Sequence, residues 1–176
     1  DLQSACSSFL FGMSTAAAYI QSGRYKKVLL IGADKMSSIV DYTDRATCII
    51  FGDGAGAVLF EPNYEGLGLQ DEYLRTDGDG RDFLKMTAGG SLYPASEQTL
   101  MDNQHNIIQD GKTVFKYAVT NMADASELIL KRNNLSKDDV SWLVAHQANK
   151  RIIDATAGRM ELEDSKVLMN IERYGN

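Results

Sequence analysis

Only two cysteines, Cys6 and Cys48, occur in the 176 residues, which excludes a disulfide framework. No apolar run is long enough to cross a bilayer, and no signal peptide is evident. Positive charge is in deficit: 18 Lys and Arg stand against 24 Asp and Glu, and the formal charge of -6 argues against nucleic acid as a partner. Nothing marks a disordered chain either, because 44% of the residues are hydrophobic and 24% charged, which supports a sizeable core. The expectation is a soluble, cytoplasmic protein, in which the glycosylation-like Asn134-Leu135-Ser136 is coincidental. An initiator methionine is also missing. The chain opens at Asp1-Leu2-Gln3, directly on reactive chemistry, so an absent N-terminal portion is expected.

That chemistry is Cys6, set among small residues in Ala5-Cys6-Ser7. Phe9, Met13, Ala16, Ala17 and Ile20 follow at helical spacing, with Gly23 where a helix would end. The spacing predicts a helix over 7–22 with Cys6 at its N-terminus. There unpaired N–H groups and the positive end of the macrodipole favour thiolate, the reactive form. A buried structural cysteine is the competing reading, to be decided by its partners. Cys48 stands in Thr47-Cys48-Ile49-Ile50 without a charged neighbour and reads as core.

Val28 to Ala33 is a short continuous apolar run, suited to a central parallel strand buried on both faces. The polar stretch 37–47, with Asp41, Asp44 and Arg45, reads as an exposed loop or short helix. Gly52-Asp53-Gly54-Ala55-Gly56-Ala57 fits the dinucleotide fingerprint, but that fingerprint needs a helix to follow. Val58-Leu59-Phe60-Glu61-Pro62 reads instead as a strand stopped by proline, so a nucleotide site is rejected. A further strand is expected over 66–76. Asp77-Gly78-Asp79-Gly80 is a turn without the later ligands of a calcium loop, and no metal site is expected. The stretch 88–105 is least patterned and reads as a surface excursion with His105 solvated.

The clearest helix is 111–133, with Asp110 as N-cap and Phe115, Ala118, Val119, Met122, Ser126, Ile129 and Leu130 on one face. Ser136-Lys137-Asp138-Asp139 resembles a capping box before the apolar Trp142-Leu143-Val144. His146 then lies where a strand ends, the place where ligands collect in open α/β sheets. A helix over 147–160 would turn Ile152, Ile153 and Thr156 inward and Lys150, Arg151 and Arg159 outward. A strand over 165–169 and a turn at Tyr174-Gly175-Asn176 complete the chain.

Four motifs in order carry a family resemblance: Asp1-Leu2-Gln3-Ser4-Ala5-Cys6-Ser7, Phe51-Gly52-Asp53-Gly54-Ala55-Gly56-Ala57, His146-Gln147-Ala148-Asn149 and Asn170-Ile171-Glu172-Arg173-Tyr174-Gly175-Asn176. Together they resemble the β-ketoacyl-acyl carrier protein synthase III family, and His146-Gln147-Ala148-Asn149 favours that branch over thiolases or chalcone synthases. The resemblance implies an α/β architecture, the thiolase fold, with two similar halves packed as α/β/α/β/α layers and incomplete at both ends. It places the remainder of the first half at 1–65 and most of the second at 66–176. It also implies an acyltransferase in which Cys6 takes an acyl group from acyl-CoA, and His146 and Asn176 stabilise the enolate formed when malonyl-acyl carrier protein loses carbon dioxide. By the same carry-over Asn149 meets the pantetheine arm, Arg45 the adenine end of CoA, and Phe51, Gly111 and Phe115 the acyl pocket and tunnel. Arg151, with Lys150 beside it, meets the carrier protein. No cofactor and a homodimer are implied.

Each residue has a plainer reading: Phe51 and Phe115 as ordinary core, Arg45 and Asn149 as solvated or capping residues, Arg151 as solvated surface. Two other functions fit part of the pattern. Papain-like peptidases also run Cys, His, Asn, and the Cys6-to-His146 interval suits them, but their signature needs an aromatic residue where Ser7 stands, and their secreted setting brings disulfides. A noncatalytic acyl-CoA or carrier-binding subunit is disfavoured by the presence of all three reactive residues.

Overall fold

The computed structural model describes residues 1–176. Contacts divide them into two compact units, Asp1–Asp34 with Asp53–Thr76, and Lys35–Gly52 with Asp77–Asn176. No helix is long and apolar enough to cross a membrane.

In the first unit a 3-10 turn, Ala5–Ser7, runs directly into helix α1, Ser8–Gln21. Strand β1, Val28–Lys35, pairs with β2, Asp53–Phe60. The approach of α1 to β1 depends on Gly12, which is buried: a Cβ there would lie 2.5 Å from Cδ1 of Leu30. The expected double burial of β1 is not met. Its residues alternate between half-buried and exposed, with Leu29 at 59% and Ile31 at 62%, and β2 is its one hydrogen-bonded neighbour. The glycine-rich stretch runs into β2 and no helix follows it, as the rejection of a nucleotide site requires. No strand forms over 66–76. There Asn63 Oδ1 accepts from the N–H groups of Glu65 and Leu67, a side-chain-capped turn that competes with extended pairing.

The second unit is built on α3, Gly111–Arg132, and α4, Lys150–Arg159. Asp110 caps α3 as its sequence predicts, with Oδ1 accepting from Thr113 N at 3.1 Å and Oδ2 from the Thr113 hydroxyl at 2.7 Å. Ile152, Ile153, Thr156 and Ala157 of α4 and Ala123 of α3 are buried and form the unit's apolar centre where the two helices pack. Full burial of one isoleucine contributes roughly 1.5–3 kcal/mol, so Ile153, at 0% exposure, is the position where truncation would cost most. Arg159 adds an ion pair from α4 to Asp124 and another to Glu127 of α3, at 2.7 and 2.8 Å.

Strands β3, Leu84–Met86, and β4, Ile107–Gln109, form an antiparallel pair from segments for which the sequence predicts no element. Between them lies α2, Glu97–Met101, with a capping box from Ser96 and Thr99. His105 is not solvated: it is half-buried, one ring nitrogen 2.9 Å from the Thr99 hydroxyl. The strands expected over 142–144 and 165–169 reduce to a single parallel bridge, Leu143 to Val167. Cys48 is half-buried rather than core, and Ile49 beside it is 73% exposed.

Candidate active site

Cys6 sits in the 3-10 turn at the entrance to α1. The turn is closed by Ser7 N donating to Ser4 O at 3.1 Å and by Ser4 N donating to the Ser8 hydroxyl at 2.7 Å. Ala5, just before the cysteine, has φ 45, the left-handed region that costs a Cβ-bearing residue energy. The residue is exposed as a whole, while desolvation still acts on its thiol. That desolvation is the main reason the thiol is held above its ordinary value. A hydrogen bond from its own N–H pulls the other way, and the Asp34 carboxylate adds a smaller upward push. The thiolate expected at the helix N-terminus is thus opposed by a desolvation that pushes the thiol up.

The other candidates belong to the second unit. Arg45 is exposed on a turn built by aspartates: Asp41 Oδ1 accepts from Thr43 N, and Asp44 accepts from Ala46 N and from the hydroxyl of fully buried Thr47 at 2.8 Å. The same turn leads into Phe51, which is half-buried. The residues flanking Phe51 grip Asn176 through the backbone, with Gly52 N donating to Asn176 O at 2.7 Å and Asn176 N to Ile50 O at 2.9 Å. Gly175 permits this close approach, since its φ is 71 and a Cβ would meet Ile50 O at 3.0 Å. Phe51 and Asn176 are thus neighbours, although they stand 125 positions apart in the numbering.

His146 is exposed and follows the Leu143–Val167 bridge, with its carbonyl accepting from Ala148 N at 2.9 Å. Asn149 caps α4, its Oδ1 accepting from Arg151 N at 2.9 Å. Lys150 is paired with Asp154 at 3.2 Å. Gly111 opens α3 and is exposed; one turn on, the half-buried Phe115 ring lies under the Arg151 guanidinium, 5.0 Å from carbon to centroid. Within the His146 motif the resemblance gives Gln147 and Ala148 no role. Gln147 donates through Nε2 to Ala145 O and Leu168 O, both at 3.1 Å, and accepts through Oε1 from Asn170 N at 2.9 Å and Ile171 N at 3.1 Å. Its signal is faint because three of those partners, Leu168, Asn170 and Ile171, lie far along the chain. Among the described residues no group of three or more His, Cys, Asp or Glu could hold a metal ion.

The crystal structure of β-ketoacyl-[acyl carrier protein] synthase III from Thermus thermophilus is similar to this chain with a TM-score of 0.89 at 35% identity, covering 100% of this chain and 54% of that one. The class is thereby fixed as the α/β thiolase fold of the condensing enzymes. Family models narrow it. The one described as 3-oxoacyl-[acyl-carrier-protein (ACP)] synthase III matches residues 1–78, and its C-terminal counterpart matches 130–176. Two Bacteroides thetaiotaomicron proteins, β-ketoacyl-[acyl-carrier-protein] synthase III 2 and 1, are 59% and 56% identical over 176 residues, 100% of this chain and 52% of each relative. The chain belongs to the 3-oxoacyl-[acyl-carrier-protein] synthase III family. It spans about half the length of the curated relatives it matches.

Proposed function

We propose that this chain is the part of a condensing acyltransferase that joins acyl-CoA to malonyl-acyl carrier protein, giving 3-oxoacyl-acyl carrier protein with loss of carbon dioxide and CoA. This reaction starts fatty acid synthesis. The observation that carries the reading is the cysteine at the start of α1 in a chain whose two family-model matches cover both the Cys6 and the His146–Asn176 segments. The working enzyme is read as a cytoplasmic homodimer needing no cofactor, and its two thiolase-like halves as 1–65 and 66–176.

Cys6 attacks the thioester carbonyl of acyl-CoA: the S–C bond to Cys6 forms, the C–S bond to CoA breaks, and the proton leaves on CoA thiol. Malonyl-acyl carrier protein then loses carbon dioxide, and the electron pair of the broken C–C bond becomes an enolate. His146 and Asn176 donate hydrogen bonds to its thioester oxygen, where the charge develops. The enolate carbon attacks the acyl-Cys6 carbonyl, and collapse expels the Cys6 thiolate, which takes up a proton. Asn149 holds the pantetheine arm and Arg45 the adenine end of CoA. Phe51, Gly111 and Phe115 line the acyl path, and Arg151 with Lys150 meets the carrier.

Incubation of the full-length enzyme with labelled acetyl-CoA, followed by peptide mapping, tests this. Label on the Cys6 peptide is expected. Binding without covalent label would favour a noncatalytic binding subunit, and peptide cleavage would favour a cysteine peptidase.

A further inference from the structure

Gln147 joins two segments that the proposed chemistry needs in one place. On one side is the loop around His146; on the other is the stretch that ends at Asn176. All four hydrogen-bonding positions of the Gln147 amide are used: two N–H bonds reach Ala145 O and Leu168 O, and both lone-pair positions accept, from Asn170 N and Ile171 N. The amide orientation is unambiguous, because two partners can only accept and two can only donate.

The connection continues to Asn176 without a loose link. Ile171 N opens α5, Ile171–Tyr174, a single helical turn; Gly175 N then donates to Ile171 O at 2.9 Å, and Asn176 is gripped on both sides by Ile50 and Gly52. On the other side the Ala145 carbonyl that Gln147 holds is the one preceding His146, and the His146 carbonyl is taken by Ala148 N. The Gln147 backbone follows His146 directly, so fixing its side chain fixes the peptide that aims the imidazole.

We propose that Gln147 is a positioning residue for the reaction, a four-bond clasp that sets the His146 loop and the Asn176 segment in a single register. The inference rests on the proposed roles of His146 and Asn176 as enolate donors. An amide of this length is required. Glutamate cannot donate to the two carbonyls, asparagine is a methylene too short, and leucine or methionine fills the space without bonding. Two donors must act on one oxygen together, so a shift on the order of 1 Å in either is expected to slow the step that uses both by roughly 100-fold. Acylation of Cys6, which does not call on the pair, would continue.

The test uses the full-length enzyme with Gln147→Leu and Gln147→Glu, the second kept in case the first does not fold. Two rates are measured separately: acetylation of Cys6 by acetyl-CoA, and carbon dioxide release from malonyl-acyl carrier protein. The expected result is a fall of roughly 10- to 100-fold in carbon dioxide release at saturating carrier substrate, with KM and the acetylation rate within about threefold of the parent. In a His146→Ala background Gln147→Leu should add little, because the two act as a unit. Equal loss of both rates would make Gln147 a general fold residue and overturn the proposal, as would no loss in either. His146→Ala and Asn176→Ala run alongside separate the two readings. If they leave carbon dioxide release intact, the site reading fails; if they abolish it while both Gln147 variants keep it, only the clasp fails.

Discussion

The Arg151 guanidinium lies over the Phe115 ring, 5.0 Å from its centroid, linking the first turn of α4 to the second turn of α3. A cation on a ring face keeps its outward N–H groups available while the contact limits its rotamers, which suits a docking residue. The whole chain is acidic, so the proposed docking of an acidic carrier requires a local attraction.

Arg151→Glu in the full-length enzyme is therefore expected to weaken use of malonyl-acyl carrier protein while leaving Cys6 acetylation by acetyl-CoA nearly intact. The defect should shrink as salt is added, because exposed charges are screened beyond about 8–10 Å at ordinary ionic strength. Steady-state kinetics at low and high salt check this; unchanged carrier kinetics at low salt would remove Arg151 from the docking surface.

The raised Cys6 thiol predicts a pH profile. Alkylation by iodoacetamide, followed at the Cys6 peptide, should have its midpoint above that of a small reference thiol. The sign carries over to stability. A folded-state value raised above the unfolded one favours folding fully at pH below the unfolded value, and that contribution is lost as pH climbs through the folded value. Cys6→Ser should thus flatten the alkaline loss of stability, read by urea unfolding on the alkaline side of the thiol range.

Ala5, at φ 45, sets a second expectation. Ala5→Val puts a β-branched residue in the left-handed region and should lower stability by roughly 1–3 kcal/mol. Ala5→Gly should be close to neutral, because relief of strain is offset by a more flexible unfolded chain. Urea midpoints of the two variants against the parent decide it.

Asn149 has one observed job and one proposed one, and substitution separates them. It caps α4 through Oδ1, which Asn149→Asp retains and Asn149→Ala removes at a cost of about 1 kcal/mol. The aspartate lacks the amide donors. If Asn149 meets the pantetheine arm, Asn149→Asp should raise KM for the carrier substrate with thermal stability unchanged; a parental KM would leave capping as its role.

The long helices were legible because their signals are local. Asp110 and Asn149 cap α3 and α4 within three residues, and Ile152, Ile153 and Thr156 repeat at helical spacing on the buried face. Strands β3 and β4 were not legible: three residues each give no alternation to detect, and what makes Leu84–Met86 a strand is Ile107–Gln109, far along the chain. Polar neighbours made His105 look solvated, while its partner Thr99 is brought close by the turn that follows α2. The strand expected over 66–76 finds no pairing partner. Of the candidate residues, Cys6 and His146 are proposed from motif and position and Asn149 from the resemblance, whereas the bonding of Gln147 is not legible, since its partners include Leu168, Asn170 and Ile171. The rise of the Cys6 thiol was hidden for the same reason: desolvation and Asp34 come from folding, whereas the helix end can be read from sequence.

The division of labour between Cys6 and His146 is tested most directly by charging the full-length enzyme with labelled acetyl-CoA, then adding malonyl-acyl carrier protein and following carbon dioxide release in parent and His146→Ala. Acetyl-Cys6 should form to the parental level in both, with carbon dioxide release falling by roughly two to three orders of magnitude in the variant. Parental carbon dioxide release from His146→Ala, or no label at Cys6 in the parent, would contradict the account.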